Sequence, residues 1–239
     1  MIIHVYPNDD ALARAAAALM AGAVVEKPNC ILGLATGSTP VKLYRELARL
    51  NKEGTVSFRD VRTFNLDEYA GLDPAHPQSY RRFMNEQLFE HIDIDMANTH
   101  VPSGFAGNKA CEYDDAIDAA GGVDIQLLGI GHNGHIGFNE PADDFSRTTH
   151  VVDLTDSTRQ ANARFFDSID EVPTQAVTMG IGTIMKAKRI LMIITGEGKA
   201  QAAYDMLCGP VTPRMPASVL ALHPNVTVML DEAAAKLLK

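Results

Sequence analysis

Short apolar runs alternate along this chain with longer stretches whose apolar positions recur every three to four residues. Residues 2–6, 30–35, 61–66, 123–129, 189–195 and 226–230 have the run length and composition of strands. Residues 9–26, 40–52, 79–91, 109–120, 156–167, 199–207 and 231–238 have the length and spacing of helices. Asp9 and Asp156 mark helix starts, and Asp231 opens the last predicted helix with acid in its first turn. Strands alternating with helices predict an α/β fold with a mostly parallel sheet covered on both faces. No repeat, low-complexity linker or composition break interrupts residues 1–239, so a single domain is expected. The proline-rich stretch 209–216 suits an extended connection better than a boundary.

Composition narrows the class of protein. With 239 residues, 46% of them hydrophobic, the chain can bury a sizeable core and lies outside the disordered class. A net charge of −9 without a basic tract argues against a nucleic-acid or anionic-membrane surface. An anionic substrate would therefore be held by local groups against an unfavourable overall field. The three cysteines, Cys30, Cys111 and Cys208, are odd in number and far from metal-type partners. They point to a reducing compartment and ordinary buried thiols. The first residues read as a strand rather than a secretion signal. The alanine-rich stretch 11–25 is broken by Arg14 and Gly22 and is too short to span a bilayer. A cytoplasmic protein is expected.

Candidate chemistry gathers at strand ends. Leu34-Ala35-Thr36-Gly37-Ser38-Thr39-Pro40 runs from a buried strand through a glycine turn into a helix, offering free N–H groups and small hydroxyls to an anion. It lacks the Gly-Lys-Ser/Thr ending of a Walker loop, and a plain turn capped by Ser38 or Thr39 is the alternative. A second strand–glycine–helix loop, Gly196-Glu197-Gly198-Lys199, adds a cation beside a helix start, and Arg164 is a further candidate cation. Alone, each would be an ordinary solvated charge. The strand 61–66 delivers the adjacent carboxylates Asp67 and Glu68, suited either to general-base work or to capping a helix.

The densest stretch is 128–141, where an apolar strand feeds His132, Asn133, His135 and Glu140 into a turn rich in glycine. Gly129-x-Gly131-x-x-Gly134 matches the dinucleotide fingerprint formally, with Asp153 near the ribose-binding distance, yet 136–141 makes a poor first helical turn. His132, His135 and Glu140 offer a metal set, though no histidine pair stands at i, i+4. The third reading makes His135 an acid–base group oriented by Glu140, with His132 shaping the loop and no cofactor required.

Leu-Asp-Glu-Tyr at 66–69, Gly-His-Ile-Gly-Phe-Asn-Glu-Pro at 134–141 and Thr-Gly-Ser-Thr-Pro at 36–40 together resemble the glucosamine-6-phosphate deaminase (glucosamine/galactosamine-6-phosphate isomerase) family. Arg-Phe-Phe-Asp at 164–167 and Gly-x-x-Lys at 196–199 extend the likeness, in the same order, to near the C-terminus. The resemblance implies a three-layer Rossmann-like sandwich that converts glucosamine 6-phosphate and water to fructose 6-phosphate and ammonia, with no organic cofactor and no metal. It implies that Asp67 takes the C2 proton, that His135 opens the sugar ring with Glu140 as partner, and that Asn133 orients His135. Gly37, Ser38, Thr39, Arg164 and Lys199 would surround the phosphate, and a closing segment would span roughly 154–176. Where some members carry Asp, this chain has Asn133, which implies a less basic His135. The stretch 146–151 has few of the cations that bind an N-acetylated activator in certain relatives, which implies an unregulated enzyme, either a monomer or a homo-oligomer. A phosphogluconolactonase-type hydrolase and a non-catalytic sugar-phosphate sensor are the competing readings. The sensor reading expects a helix-turn-helix ahead of the first strand.

Overall fold

The computed structural model describes residues 1–163 and 166–238. From the N-terminus it forms β1 (Ile2–Tyr6), α1 (Asp9–Glu26), β2 (Ile31–Leu34), α2 (Val41–Lys52), β3 (Arg62–Asn65) and β4 (Asp67–Tyr69). The middle contains α3 (Tyr80–Gln87), β5 (Thr99–His100), α4 (Glu112–Ala120), β6 (Ile125–Leu128), β7 (His150–Asp153) and α5 (Asp156–Asn162). It ends with β8 (Gln175–Thr178), α6 (Ile181–Met185), β9 (Arg189–Ile194), α7 (Ala200–Cys208) and β10 (Val226–Asp231).

Every residue of β2 and β6 is buried. That is the signature of strands covered on both faces, and it explains why these segments read as continuous apolar runs rather than alternating ones. They lie inside a parallel sheet of order β1-β10-β9-β6-β2-β3-β5 among the described residues. Helix α1 buries Leu12, Ala16, Ala17, Met20 and Val24 and lies against β10 and β9. The order runs outward from β2 in both directions, through β3 to β5 on one side and through β6, β9 and β10 on the other. The reversal of strand order therefore falls between β2 and β6, where open α/β sheets hold their ligands beyond the carboxyl ends.

A second sheet, β4-β8-β7, is antiparallel and departs from the expected layout. After β3 the chain leaves the main sheet at Leu66, whose carbonyl accepts from Met179 N at 2.7 Å, and Asp67 pairs with Thr178 instead. These strands have only three or four residues each and mix polar with apolar, so no run announces them. Tyr69, Phe138, Leu154 and Ala176 form a small apolar cluster of their own, on which Tyr80 and Phe166 pack.

Other boundaries move for local reasons. Asn8 and Thr155, not Asp9 and Asp156, cap α1 and α5, accepting from Ala11 N and Thr158 N. The helix expected over 231–238 is a series of turns. Asp231 closes β10 instead, and its carboxylate accepts from Gly196 N at 2.9 Å and Ala234 N at 2.7 Å. Cys30 is buried as expected, but Cys111 and Cys208 are exposed.

Candidate active site

The four adjacent strands β3, β2, β6 and β9 each carry one of the candidate loops at their carboxyl ends. At the end of β2, the buried Tyr44 hydroxyl donates to Ala35 O at 2.5 Å and ties α2 to the start of the loop. Gly37 has φ 94°, which turns the chain, and α2 then begins behind Pro40 without a side-chain cap. Its first N–H groups thus remain available, with Ser38 exposed and Thr39 half-buried beside them.

Beyond β3 the two carboxylates part company. Glu68 accepts from Tyr69 N and Tyr80 N at 2.9 Å and from Arg81 N at 3.0 Å, so it serves the N-terminus of α3. Asp67 is buried and takes no part in that capping. Burial, with the charge of Glu68 added, pushes its carboxyl up to about 8. Such a value is typical of a group poised to exchange protons near neutrality.

The loop after β6 is a run of turns, and no helix begins within 129–141, so the dinucleotide fingerprint lacks its helix. Gly131 N donates to His135 O at 2.9 Å, closing a tight turn. The His135 ring lies so close over Gly131 that a Cβ there would approach it to 2.3 Å. Gly137, with φ 58°, brings the loop against the second sheet, where a Cβ would stand 2.8 Å from Thr178 Oγ1 and 3.5 Å from Asp67 Oδ2. Phe138 N donates to Thr178 Oγ1 at 3.0 Å, and Asn139 Nδ2 donates to Ile136 O and Met179 O. Asn139 is therefore a clamp for the loop, and Asp67 faces the turn that carries His135.

Glu140 is held at both carboxylate oxygens. Its Oε1 stands 3.4 Å from His135 Nδ1 and accepts from Thr158 Oγ1 at 2.5 Å, while Oε2 accepts from Asn133 Nδ2 at 2.5 Å. Burial works to raise its carboxyl, but His135, Thr158 and Asn133 together hold it down to about 2. It is ionised at any pH near neutral. Asn133 reaches His135 only through the backbone, accepting from His135 N at 3.3 Å, so it acts on the carboxylate rather than on the imidazole.

His132 stands beside Lys199, whose Nζ lies 3.4 Å from His132 Nδ1. Burial lowers Lys199, and the charge of Lys199, then burial and His135, lower His132. The proposed metal trio is thus divided between two neighbours. Arg164 lies outside the described residues. The roles of Thr158 and Thr178 were not legible, because each acts from an element distant in sequence and neither stands in a glycine-rich loop.

A parallel sheet whose strand order reverses between β2 and β6, with the candidate loops at the carboxyl ends on both sides of that point, defines an α/β protein of the doubly wound type. The chain belongs to the glucosamine-6-phosphate isomerase/6-phosphogluconolactonase family, whose sequence profile matches residues 8–229. It is 52% identical over 242 residues to glucosamine-6-phosphate deaminase of Clostridium perfringens (strain 13 / Type A), covering 100% of both chains. It superposes with a TM-score of 0.96 on a monomeric glucosamine-6-phosphate deaminase, at 48% identity over 99% of this chain and 100% of that one. A 6-phosphogluconolactonase from Trypanosoma cruzi shares the fold, with a TM-score of 0.78 over 100% of this chain and 97% of that one, but only 20% identity.

Proposed function

We propose that this chain is a glucosamine-6-phosphate deaminase, monomeric and cytosolic, converting glucosamine 6-phosphate and water to fructose 6-phosphate and ammonia. The observation that carries the reading is that Asp67 meets the loop of the His135–Glu140 pair at Gly137, where a Cβ would stand 3.5 Å from Asp67 Oδ2. Identity of about half to deaminases along the whole chain supports the same substrate. Among the described residues no helix is long and apolar enough to cross a membrane, and the 48% identical relative is monomeric.

In this reading His135 takes the proton of the anomeric hydroxyl and returns one to the ring oxygen, opening the pyranose. Glu140 steadies the imidazolium formed in between. Asp67 then removes the C2 proton, giving an enolamine, and delivers a proton to C1. The resulting C2 imine takes up water and expels ammonia, so the atoms balance without an oxidant or reductant. The loop at Gly37, Ser38 and Thr39 and the side chains of Lys199 and Arg164 hold the phosphate. A lactonase needs no base at C2, and the buried, proton-poised Asp67 favours the deaminase.

The test is release of ammonia and fructose 6-phosphate from glucosamine 6-phosphate, with a chelator present and no cofactor added. Stoichiometric release of both is expected. Binding of the sugar phosphate without release would overturn the reading in favour of a sensor, and hydrolysis of 6-phosphogluconolactone instead would assign the lactonase reaction.

A further inference from the structure

We propose that Thr158, in the first turn of α5, is a positioning residue for the His135–Glu140 pair, holding the carboxylate oxygen that faces the imidazole. The role rests on the ring-opening reading above. Three distances carry it: Thr158 Oγ1 to Glu140 Oε1 at 2.5 Å, His135 Nδ1 to the same Oε1 at 3.4 Å, and Thr155 Oγ1 to Thr158 Oγ1 at 3.0 Å.

The direction of this chain of hydroxyls is forced. An ionised carboxylate only accepts, so Thr158 must give its single proton to Glu140, and its oxygen then accepts the proton of Thr155. Thr155 is also the N-cap of α5, accepting from Thr158 N at 3.2 Å, so both hydroxyls are fixed by the start of the helix. A hydroxyl bonded to a carboxylate at this length is strong and charge-assisted, and donation from Thr155 polarises it further. Oε2 is meanwhile occupied by Asn133 Nδ2.

His135 Nδ1, by contrast, is buried and meets the same Oε1 only at 3.4 Å, with no shorter hydrogen-bond partner among the described residues. Thr158 and the imidazole thus share one oxygen, and the hydroxyl is the nearer of the two. Thr158 is buried and belongs to a helix pinned elsewhere by Arg159 Nη2, which donates to Ile169 O at 3.0 Å and Val172 O at 3.3 Å. The seat of α5 therefore sets how far Glu140 is shared with His135. Among the described residues, the other titratable groups around this ring are His132 in its own loop, Lys199 after β9 acting through His132, and Asp67 on β4 across Gly137. None of them contacts Oε1 as Thr158 does.

The experiment compares the full-length protein with Thr158→Val, which keeps the shape and loses the hydroxyl, and Thr158→Ser, which restores it. Imidazole C–H resonances are followed by NMR against pH without substrate, with His135 assigned by loss of its signal in His135→Gln. Freed of the hydroxyl, Oε1 closes on Nδ1 and favours imidazolium. The His135 midpoint rises by about 1 unit in Thr158→Val, the low end of what an opposite charge at contact does. Thr158→Ser returns the midpoint toward the wild-type value. Coincident midpoints in all three proteins, or a Ser variant that behaves like Val, would overturn the proposal. Should the Val variant fold poorly, Thr158→Ala carries the same expectation in a helix. The NMR titration needs no turnover, so an inactive wild type would sink the deaminase reading while leaving this contact decided.

Discussion

At Asp67 burial acts in opposite directions on activity and on stability. A base that removes a C–H proton must be ionised, and with a carboxyl pushed up to about 8 the working fraction grows as pH rises. The kcat/KM of the free enzyme is expected to climb between pH 6 and 8. Stability runs the other way. The folded group keeps a proton that the unfolded chain has lost between about 4 and about 8, so the native state loses stability across that window as pH rises. Asp67→Asn cannot ionise. It should melt higher than wild type at pH 8 and nearly level with it at pH 4, while kcat falls about 10²- to 10⁴-fold and the sugar phosphate still binds. Full turnover in this variant would remove Asp67 from the chemistry. Asn133 carries a second residue-level prediction, because its amide donates to Glu140. Asn133→Asp sets carboxylate against carboxylate, and the added negative charge should move the acid limb of the rate profile to higher pH. Superimposable profiles would show that position 133 does not tune the pair.

At the scale of elements, the junction of β3, β4 and α3 explains why two adjacent acids have different work. Ser79 caps α3 by accepting from Arg82 N at 3.0 Å, and Glu68 satisfies the N–H groups of Tyr80 and Arg81. Arg81 in turn donates to Thr99 Oγ1 at 2.7 Å and Thr99 O at 2.8 Å, binding α3 to the edge strand β5. Glu68→Ala leaves three N–H groups without their acceptor and should cost about 3 kcal/mol in urea denaturation. It should also lower the pH at which Asp67 ionises, since the Glu68 charge is one cause of that high value. A variant as stable as wild type would refute the capping role. The pairing of β4 with β8 matters equally, because it places Asp67 beside Thr178 and so beside Gly137.

For the whole molecule, the sheet order brings four loops from widely separated parts of the chain to one rim. Rigid parallel strands suit that task, since each loop is held at a strand end rather than by its neighbours in sequence. The same overall view bears on regulation. The stretch 146–151 offers Arg147 and His150 as its only basic side chains, and its backbone packs tightly over Gly180 and Gly182. Rate curves against glucosamine 6-phosphate should be hyperbolic and indifferent to an N-acetylated sugar phosphate. A sigmoidal curve straightened by that compound would reveal a coupled second site.

Local patterning was enough to define six of the main sheet's seven strands, because β2, β6, β9 and β10 are apolar runs, whereas the two-residue edge strand β5 carries no run at all. It was also enough to pick out Asp67, His135, Glu140 and Lys199 as candidates, since each stands in a loop just past the end of an apolar strand. The second sheet stayed hidden because its strands are short and half-polar, and because β4 finds its partner β8 only far along the chain, at Asp67 against Thr178. The last predicted helix failed for a related reason: Asp231 is committed to Gly196 and Ala234, contacts that only the folded sheet provides. Which of two adjacent acids caps a helix, which group Asn133 serves and which hydroxyl holds Glu140 were likewise decided by tertiary structure. Sequence spacing describes what a residue can donate or accept, whereas the partner it meets depends on the register between strands.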